Sequence, residues 1–157
     1  MPDRELRQQL CDAARDGIAV RILIPGEHTD TELSKYAGAA DYRELVDAGV
    51  RIRTFDRTFV HAKLMTVDGV VSCFGSANLN HRSMSKDEEC CVVAISADLA
   101  KILHRSFEDD WSCSTDLTQE RWQAAVGYIV SKGPFCASGS SSSNNLLRFV
   151  ALHQPII

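Results

Sequence analysis

The sequence predicts an α/β domain built on a mixed β-sheet with helices covering both faces. Segments of helical character alternate with short apolar segments rich in branched residues, an order typical of this layered architecture. The chain has 157 residues, which suits one compact domain, and 45% of them are hydrophobic, enough to bury a core. Gly49, directly before the apolar segment that starts at Val50, marks a change from helix to strand.

Turn and cap residues mark several element boundaries. Asp30 is suited to cap the helix that follows it, and Gly49 is suited to end that helix. Asp68-Gly69 is a strong signal for a two-residue hairpin turn. In chain order we expect a helix at 3–15, a strand at 18–24, a helix at 31–48, a strand at 50–55, hairpin strands at 60–67 and 70–74, a strand at 90–95, and helices at 97–110 and 117–127.

The hairpin carries one compact pattern of polar residues. Between residues 61 and 78 the chain reads H-x-K-x4-D-x6-G-S-x-N. From average residue frequencies, six fixed positions match by chance on the order of 10⁻⁸ per starting position, so accident does not explain the pattern. The six residues are His61, Lys63, Asp68, Gly75, Ser76 and Asn78.

Strand geometry would bring the two ends of this pattern together. His61 and Lys63 are two positions apart in an alternating segment, so we expect both side chains on one face. After the turn at Asp68, the second strand returns residues 75–78 to the same end of the pair. The glycine at that end lets backbone approach a phosphate closely, while the serine hydroxyl and asparagine amide supply hydrogen bonds.

These residue types suit chemistry at phosphorus. A neutral imidazole such as that of His61 is a good nucleophile near pH 7, because the ordinary pKa of histidine lies close by. Lys63 and the amide of Asn78 would offset negative charge on the phosphate oxygens as bonds change. The sequence offers no cluster of metal ligands, so we expect neither a metal nor another cofactor. We interpret Asp68 as a structural carboxylate because it lies at the turn.

The pattern resembles the HKD motif of the phospholipase D superfamily, whose members break and remake phosphodiester bonds through a phosphohistidine. Over residues 2–124, the flanking segments resemble the C-terminal half of bacterial cardiolipin synthases and related phospholipases D. The resemblance implies a phospholipase D-like half-domain that acts on a phosphatidylglycerol-like phospholipid. Active sites of this kind need two such motifs and this chain has one, so we expect a second HKD-bearing half or a homodimer as partner.

The resemblance also implies roles for residues downstream of the motif. Arg82 matches the arginine of an Arg-Ser pair and would contact phosphate. Glu89 falls where the family's glutamate orients the histidine, which needs a carboxylate to fix its tautomer. The chain departs from the family at Met84, where an aromatic residue is common, and at 86–87, where the usual asparagine is absent. The simpler interpretations are a solvent-facing carboxylate for Glu89 and a surface ion pair for Arg82.

Three functions are compatible with the sequence. The first is phosphatidyl transfer or phospholipid hydrolysis of the cardiolipin synthase type, with His61 acting as nucleophile or as acid for the leaving group. The second is a single-motif phosphodiesterase or nuclease that is active as a homodimer. The third is an inactive fragment. A net charge of −4 argues against a nuclease with a broad DNA-binding face, so nucleic acid is a less favoured partner.

Composition also bears on location and redox state. The charged start argues against a secretory signal peptide, and no run approaches the roughly 18 to 20 apolar residues of a membrane span. We therefore expect a cytoplasmic chain that contacts the inner membrane at most peripherally. The cysteines show no C-x-x-C spacing, and we expect buried thiols in a reducing cytosol. They are Cys11, Cys73, Cys90, Cys91, Cys113 and Cys136.

Both ends of the chain depart from the family pattern. In the family an apolar strand precedes the first helix, and because that helix here follows Pro2 directly, we expect an edge or central strand to be missing. Residues 125–157 are predicted to hold the end of the last helix, a Ser-rich linker and an atypical tail. No regular structure is predicted for 146–157.

Overall fold

The computed structural model describes residues 3–25, 39–58, 61–78, 86–117 and 149–153. These ranges hold both helices and strands, which confirms the predicted α/β class. The elements are α1 (Arg4–Arg15), β1 (Ala19–Pro25), α2 (Ala39–Asp47), β2 (Arg51–Phe55), β3 (Leu64–Val67), β4 (Val71–Gly75), β5 (Cys91–Ile95), α3 (Ala97–Ser112), β6 (Thr115–Asp116) and β7 (Phe149–His153). The first part of the helix predicted at 31–48, and residues 118–127 of the last predicted helix, lie outside the described residues.

Local capping sets the helix ends near the predicted positions. The carboxylate of Asp3 caps α1 by accepting a hydrogen bond from the Glu5 amide at 3.1 Å. Gly49 has a φ of +98° just after α2, and the amide of Val50 donates to the Leu45 carbonyl at 3.0 Å. This left-handed cap satisfies a carbonyl of the last helical turn and directs the chain into β2, so the predicted helix stop is confirmed.

The strands form one mixed sheet in the order β5-β4-β3-β7-β1-β2-β6. β7 lies in its centre, antiparallel to β1 and parallel to β3. Ala151 of β7 is therefore opposite Arg21 on one side and Thr66 on the other. The sequence predicts an atypical tail here, whereas the structure uses residues 149–153 to join the β5-β4-β3 part of the sheet to the β1-β2-β6 part.

Helices cover both faces of the sheet, as predicted. Alternate residues of β1 point to opposite sides, so Ile22 packs under α1 and α2 while Leu23 packs under α3. The cluster beneath α1 and α2 consists of Leu10, Cys11, Val20, Ile22, Ile24, Tyr42, Leu45, Val50 and Ile52. The cluster beneath α3 consists of Leu23, Phe55, Leu64, Phe107 and Trp111.

Arginine side chains on β1 and β2 connect the sheet to α3. The guanidinium of Arg21 lies 4.9 Å from the ring centroid of Phe107 and donates a hydrogen bond to Glu108. Arg53 lies 4.7 Å from the ring centroid of Trp111. The hydrogen bond from Arg21 holds the pKa of Glu108 below its ordinary value of 4.5, and this effect exceeds the opposing effect of burial.

The lowered pKa of Glu108 predicts a loss of stability in acid. Folding favours the charged carboxylate, so its contribution is present above pH 4.5 and disappears as the pH falls through the lower pKa of the folded state. We expect the urea midpoint to drop less between pH 7 and pH 3 in Glu108→Gln than in the wild type. Asp109→Asn, one residue further along α3 at an exposed position, is the matched control. Equal drops for wild type and Glu108→Gln would contradict this prediction.

Candidate active site

The hairpin that carries the candidate site is closed at its other end by a tight turn. Asp68 and Gly69 have φ values of +51° and +64°, and the amide of Val70 donates to the Val67 carbonyl at 3.1 Å. Two successive positive φ values define a type I′ turn, whose twist matches that of paired strands. Asp68 thus lies about 16 Å along the hairpin from Lys63. This placement supports the structural role proposed for its carboxylate.

The strand predicted at 60–67 is longer than the observed one. β3 begins at Leu64, where its pairing with β7 also begins, so the prediction is wrong for residues 61–63. The Gly75 amide still donates to the carbonyl of Lys63 at 3.3 Å. Residues 61–63 therefore extend beyond the end of the strand, which leaves the side chain of His61 exposed.

His61 and Lys63 lie in direct contact, as their spacing predicts. The ammonium nitrogen of Lys63 is 2.8 Å from Nδ1 and 3.0 Å from Nε2 of His61, and it donates to the His61 carbonyl at 3.2 Å. An ammonium group has donors only, so when the imidazole is neutral one of the two ring nitrogens can act as its acceptor. Lys63 is 8% exposed, and a cation with so little contact with bulk water interacts strongly with a nearby anion.

Ser76 binds the segment that leads into β5. Its hydroxyl donates to a carboxylate oxygen of Glu89 at 2.5 Å and accepts from the Cys90 amide at 3.0 Å. Its own amide donates to the Cys90 carbonyl at 2.9 Å. These bonds fix Glu89 at the same end of the sheet as Lys63. The hydrogen bond recorded for the Glu89 carboxylate comes from Ser76, and orientation of His61 by Glu89 stays a prediction.

Gly75 is required by the close approach of two strands. A Cβ atom at this position would lie 2.2 Å from the carbonyl oxygen of Cys90 and 2.8 Å from Cα of Cys91. Both are backbone atoms, so neither could rotate out of the way. The sequence suggests that this glycine makes room for phosphate, and the structure adds that it makes room for β5.

Asn78 presents an unpaired amide oxygen. Its Oδ1 atom is buried and has no hydrogen-bond partner in the described part of the chain. A buried amide oxygen without a partner is costly, and rotating the amide would place its NH₂ group at the same point, where it could donate to an anion. Of the other predicted phosphate ligands, Ser76 binds Glu89, and Arg82 lies outside the described residues.

The expectation of buried thiols is wrong for most of the described cysteines. Cys11 is buried and Cys73 is half-buried, whereas Cys90, Cys91 and Cys113 are exposed. Apolar neighbours in the sequence suggested burial, but β5 is the outermost strand on its side of the sheet. Val93 and Ile95 on this strand are also 67% and 80% exposed.

The described residues hold no group of three or more His, Cys, Asp or Glu side chains placed to bind a metal ion. None of their helices has the length and apolar character that crossing a membrane requires.

Sequence reasoning missed two arrangements near the site. One is the set of hydrogen bonds that joins Ser76 to Glu89 and the Cys90 backbone. The other is the proximity of Cys73 and Cys91 on neighbouring strands. Both depend on the antiparallel register of β4 and β5, in which Gly75 is opposite Cys91. Aligning the two predicted strands in that register would have revealed both arrangements.

Comparison with known proteins decides the family. The family model described as the phospholipase D-like domain of cardiolipin synthase matches residues 1–111. The chain belongs to this phospholipase D-like family. The resemblance of its HKD pattern is thereby confirmed, and at the level of the family the associated chemistry is phosphodiester transfer.

The curated relatives are longer proteins. The chain is 34% identical over 122 residues to cardiolipin synthase 1 of Staphylococcus epidermidis, covering 76% of this chain and 24% of that protein. It is also 34% identical over 124 residues to cardiolipin synthase 1 of Bacillus anthracis, covering 79% of this chain and 24% of that protein. The chain thus spans about a quarter of the length of these phospholipase D-like relatives.

A solved structure supports the fold independently. The chain resembles Nuc, a phospholipase D family member from Salmonella typhimurium, with a TM-score of 0.66 at 22% identity. The match covers 76% of this chain and 77% of Nuc. The arrangement of helices and strands is therefore that of a phospholipase D domain.

Proposed function

We propose that this chain supplies one half of a phosphodiester-transferring active site that works through a phosphohistidine. The observation that carries the proposal is the contact between the His61 imidazole and the Lys63 ammonium group. A nucleophile and a fixed cation at one point are what attack on a phosphate anion needs. The buried, unpaired amide oxygen of Asn78 supports the same interpretation, since rotating that amide would present a donor within the same motif.

The proposed reaction has two steps. A histidine nitrogen attacks phosphorus, the bond from phosphorus to the leaving alcohol breaks, and a second histidine gives that alcohol a proton. Water or an acceptor alcohol then attacks the phosphorus, the P–N bond breaks to release the first histidine, and the attacking group gives its proton to the second histidine. Lys63 offsets charge on the phosphate oxygens in both steps. His61 fits either histidine role, and the partner's motif would take the other.

The substrate class proposed is a phospholipid of the phosphatidylglycerol type. Support comes from the relatives named as cardiolipin synthases. If the acceptor alcohol belongs to a second phosphatidylglycerol, the product is cardiolipin, and if it is water, the reaction is hydrolysis. The missing motif would come from a second HKD-bearing polypeptide or from a second copy of this chain. Such an assembly would reach its substrate by peripheral contact with a membrane.

The test measures turnover and the covalent intermediate together. The chain is assayed alone, and with a separately purified HKD-bearing half of a cardiolipin synthase, on bis(4-nitrophenyl) phosphate and on phosphatidylglycerol vesicles. We expect nitrophenol release from at least one of these preparations, together with an alkali-stable phosphoryl adduct on a histidine. Lipid turnover that requires both this chain and the companion half would identify a hetero-assembly. Turnover by this chain in the absence of the companion would identify a homo-oligomer.

His61→Ala is the decisive variant. It should abolish turnover in every active preparation, because either role of this histidine is essential to the cycle. His104→Ala is the matched control, since His104 lies on α3, where it pairs with Glu108 at 3.2 Å. Full turnover by His61→Ala, or no turnover by any wild-type preparation, would overturn the proposal.

A further inference from the structure

The register of β4 and β5 brings two cysteines together on one face of the sheet. Cys73 is opposite Val93, and Cys91 is opposite Gly75. Residues opposite one another share a face, and so do residues two positions apart on one strand. Cys73 and Cys91 are therefore diagonal neighbours on the same face. Gly75 has no side chain, which leaves room for the Cys91 side chain to lean toward Cys73.

The two thiols are close neighbours. Both are free, and Cys91 is near enough to raise the pKa of Cys73. A disulfide needs the sulfur atoms to move closer, and β5 can supply this movement because it is the outermost strand on its side of the sheet. Cys91 is exposed and can meet an oxidant in solution, whereas Cys73 is half-buried.

We propose that Cys73 and Cys91 form a reversible disulfide that fastens β5 to β4 beside the candidate site. The oxidant is a peroxide. The Cys91 sulfur attacks one peroxide oxygen, the O–O bond breaks, and a sulfenic acid and water result. The Cys73 sulfur then attacks the Cys91 sulfur and expels its hydroxyl group as a second water. Two electrons pass from the two thiols to one hydrogen peroxide, and a dithiol reductant reverses the change.

The environment of the pair assigns the order of these steps. Burial, followed by the neighbouring Cys91, raises the pKa of Cys73 above its ordinary value of 9.0. Cys73 is thus a poor first nucleophile at neutral pH, since the thiolate is the reactive form. Its position diagonal to Cys91 on the same face suits it instead to resolve the sulfenic acid once that has formed.

The disulfide would restrict the movement of β5, which begins directly after Glu89 and Cys90. Ser76 already binds both of these residues. A cross-link from Cys91 to Cys73 would add a covalent connection at this end of the sheet and close a loop that contains the Gly75-Ser76 segment. It would stabilise the folded chain by restricting the unfolded one. This inference does not depend on the proposed enzymatic function.

The test uses the full chain with hydrogen peroxide, followed by alkylation of the remaining thiols and peptide mapping. We expect a linked Cys73–Cys91 peptide, loss of the mass of two hydrogen atoms from the intact monomer, and a rise in Tm of roughly 5 °C that dithiothreitol reverses. Cys73→Ser and Cys91→Ser should each abolish the link. Cys90→Ser is the matched control and should retain it, because alternation turns Cys90 toward the other face.

Other outcomes would overturn the inference. They include a linked peptide that joins Cys91 to Cys90 or Cys113, a dimer joined through Cys91, and oxidation to sulfinic acid with no link. Cys91 lies on an exposed strand, so the Cys91→Ser variant should fold. Loss of the linked peptide in this variant therefore remains a decisive test if Cys73→Ser proves unstable.

Discussion

Replacing Lys63 with methionine is expected to lower phosphodiester turnover by about 10²- to 10³-fold, the loss seen when one preorganised stabilising group is removed from an active site. Methionine keeps most of the length and apolar volume of the buried lysine stem but removes the ammonium group that contacts both ring nitrogens of His61. Charge on the phosphate oxygens would then be left without its nearest cation. Turnover of bis(4-nitrophenyl) phosphate by the active preparation measures the effect.

The same substitution should leave the fold intact. Lys63 is 8% exposed, and methionine fills the space of its buried stem and avoids the cost of burying a charge, while the hydrogen bond to the His61 carbonyl is lost. We therefore expect Lys63→Met to remain folded, with a cooperative urea transition. Lys101→Met, at an exposed position on α3, is the matched control and should keep full turnover. A Lys63→Met protein that folds and turns over at the wild-type rate would rule out the cation role.

The parts of the fold that the sequence predicted are those set by local chemistry. The end of α2 depends on the positive φ of Gly49, and the hairpin turn depends on Asp68 and Gly69, which are adjacent in the chain. The central position of β7 depends instead on pairing with β1 and β3, which lie far away in sequence. No local sequence pattern in 146–157 indicates that this segment pairs with β1 and β3. The sequence therefore predicts no regular structure for this tail.

The candidate site likewise combines features set by local sequence with features set by the pairing of distant strands. Contact between His61 and Lys63 follows from their separation of two positions, even though the strand begins only at Leu64. The bond between Ser76 and Glu89 joins residues 13 positions apart and depends on the register of β4 with β5. Exposure of Cys91 likewise depends on β5 being an outer strand, which its apolar composition does not reveal.

Replacing Gly75 with alanine is expected to destabilise the fold and damage the site together. The added methyl group would lie 2.2 Å from the Cys90 carbonyl oxygen, so the start of β5 would have to move. That movement would break the bonds from Ser76 to Cys90 and Glu89. Overpacking and the lost hydrogen bonds together should cost about 2 to 4 kcal/mol in the free energy of unfolding. Urea unfolding measures this cost. If Glu89 orients His61 as proposed, turnover should also fall, because Glu89 is displaced.

Gly69→Ala separates this steric effect from the general cost of replacing a glycine in the same hairpin. Gly69 has a φ of +64°, but nothing lies within 4 Å of the position where its Cβ would be. Alanine there should therefore cost only the strain of a left-handed conformation, about 1 to 2 kcal/mol. Turnover should be unchanged, because the turn lies at the opposite end of the hairpin from Lys63. If Gly75→Ala lost no more stability than Gly69→Ala and kept full turnover, close packing of β5 against Gly75 could not be what holds Glu89 in place.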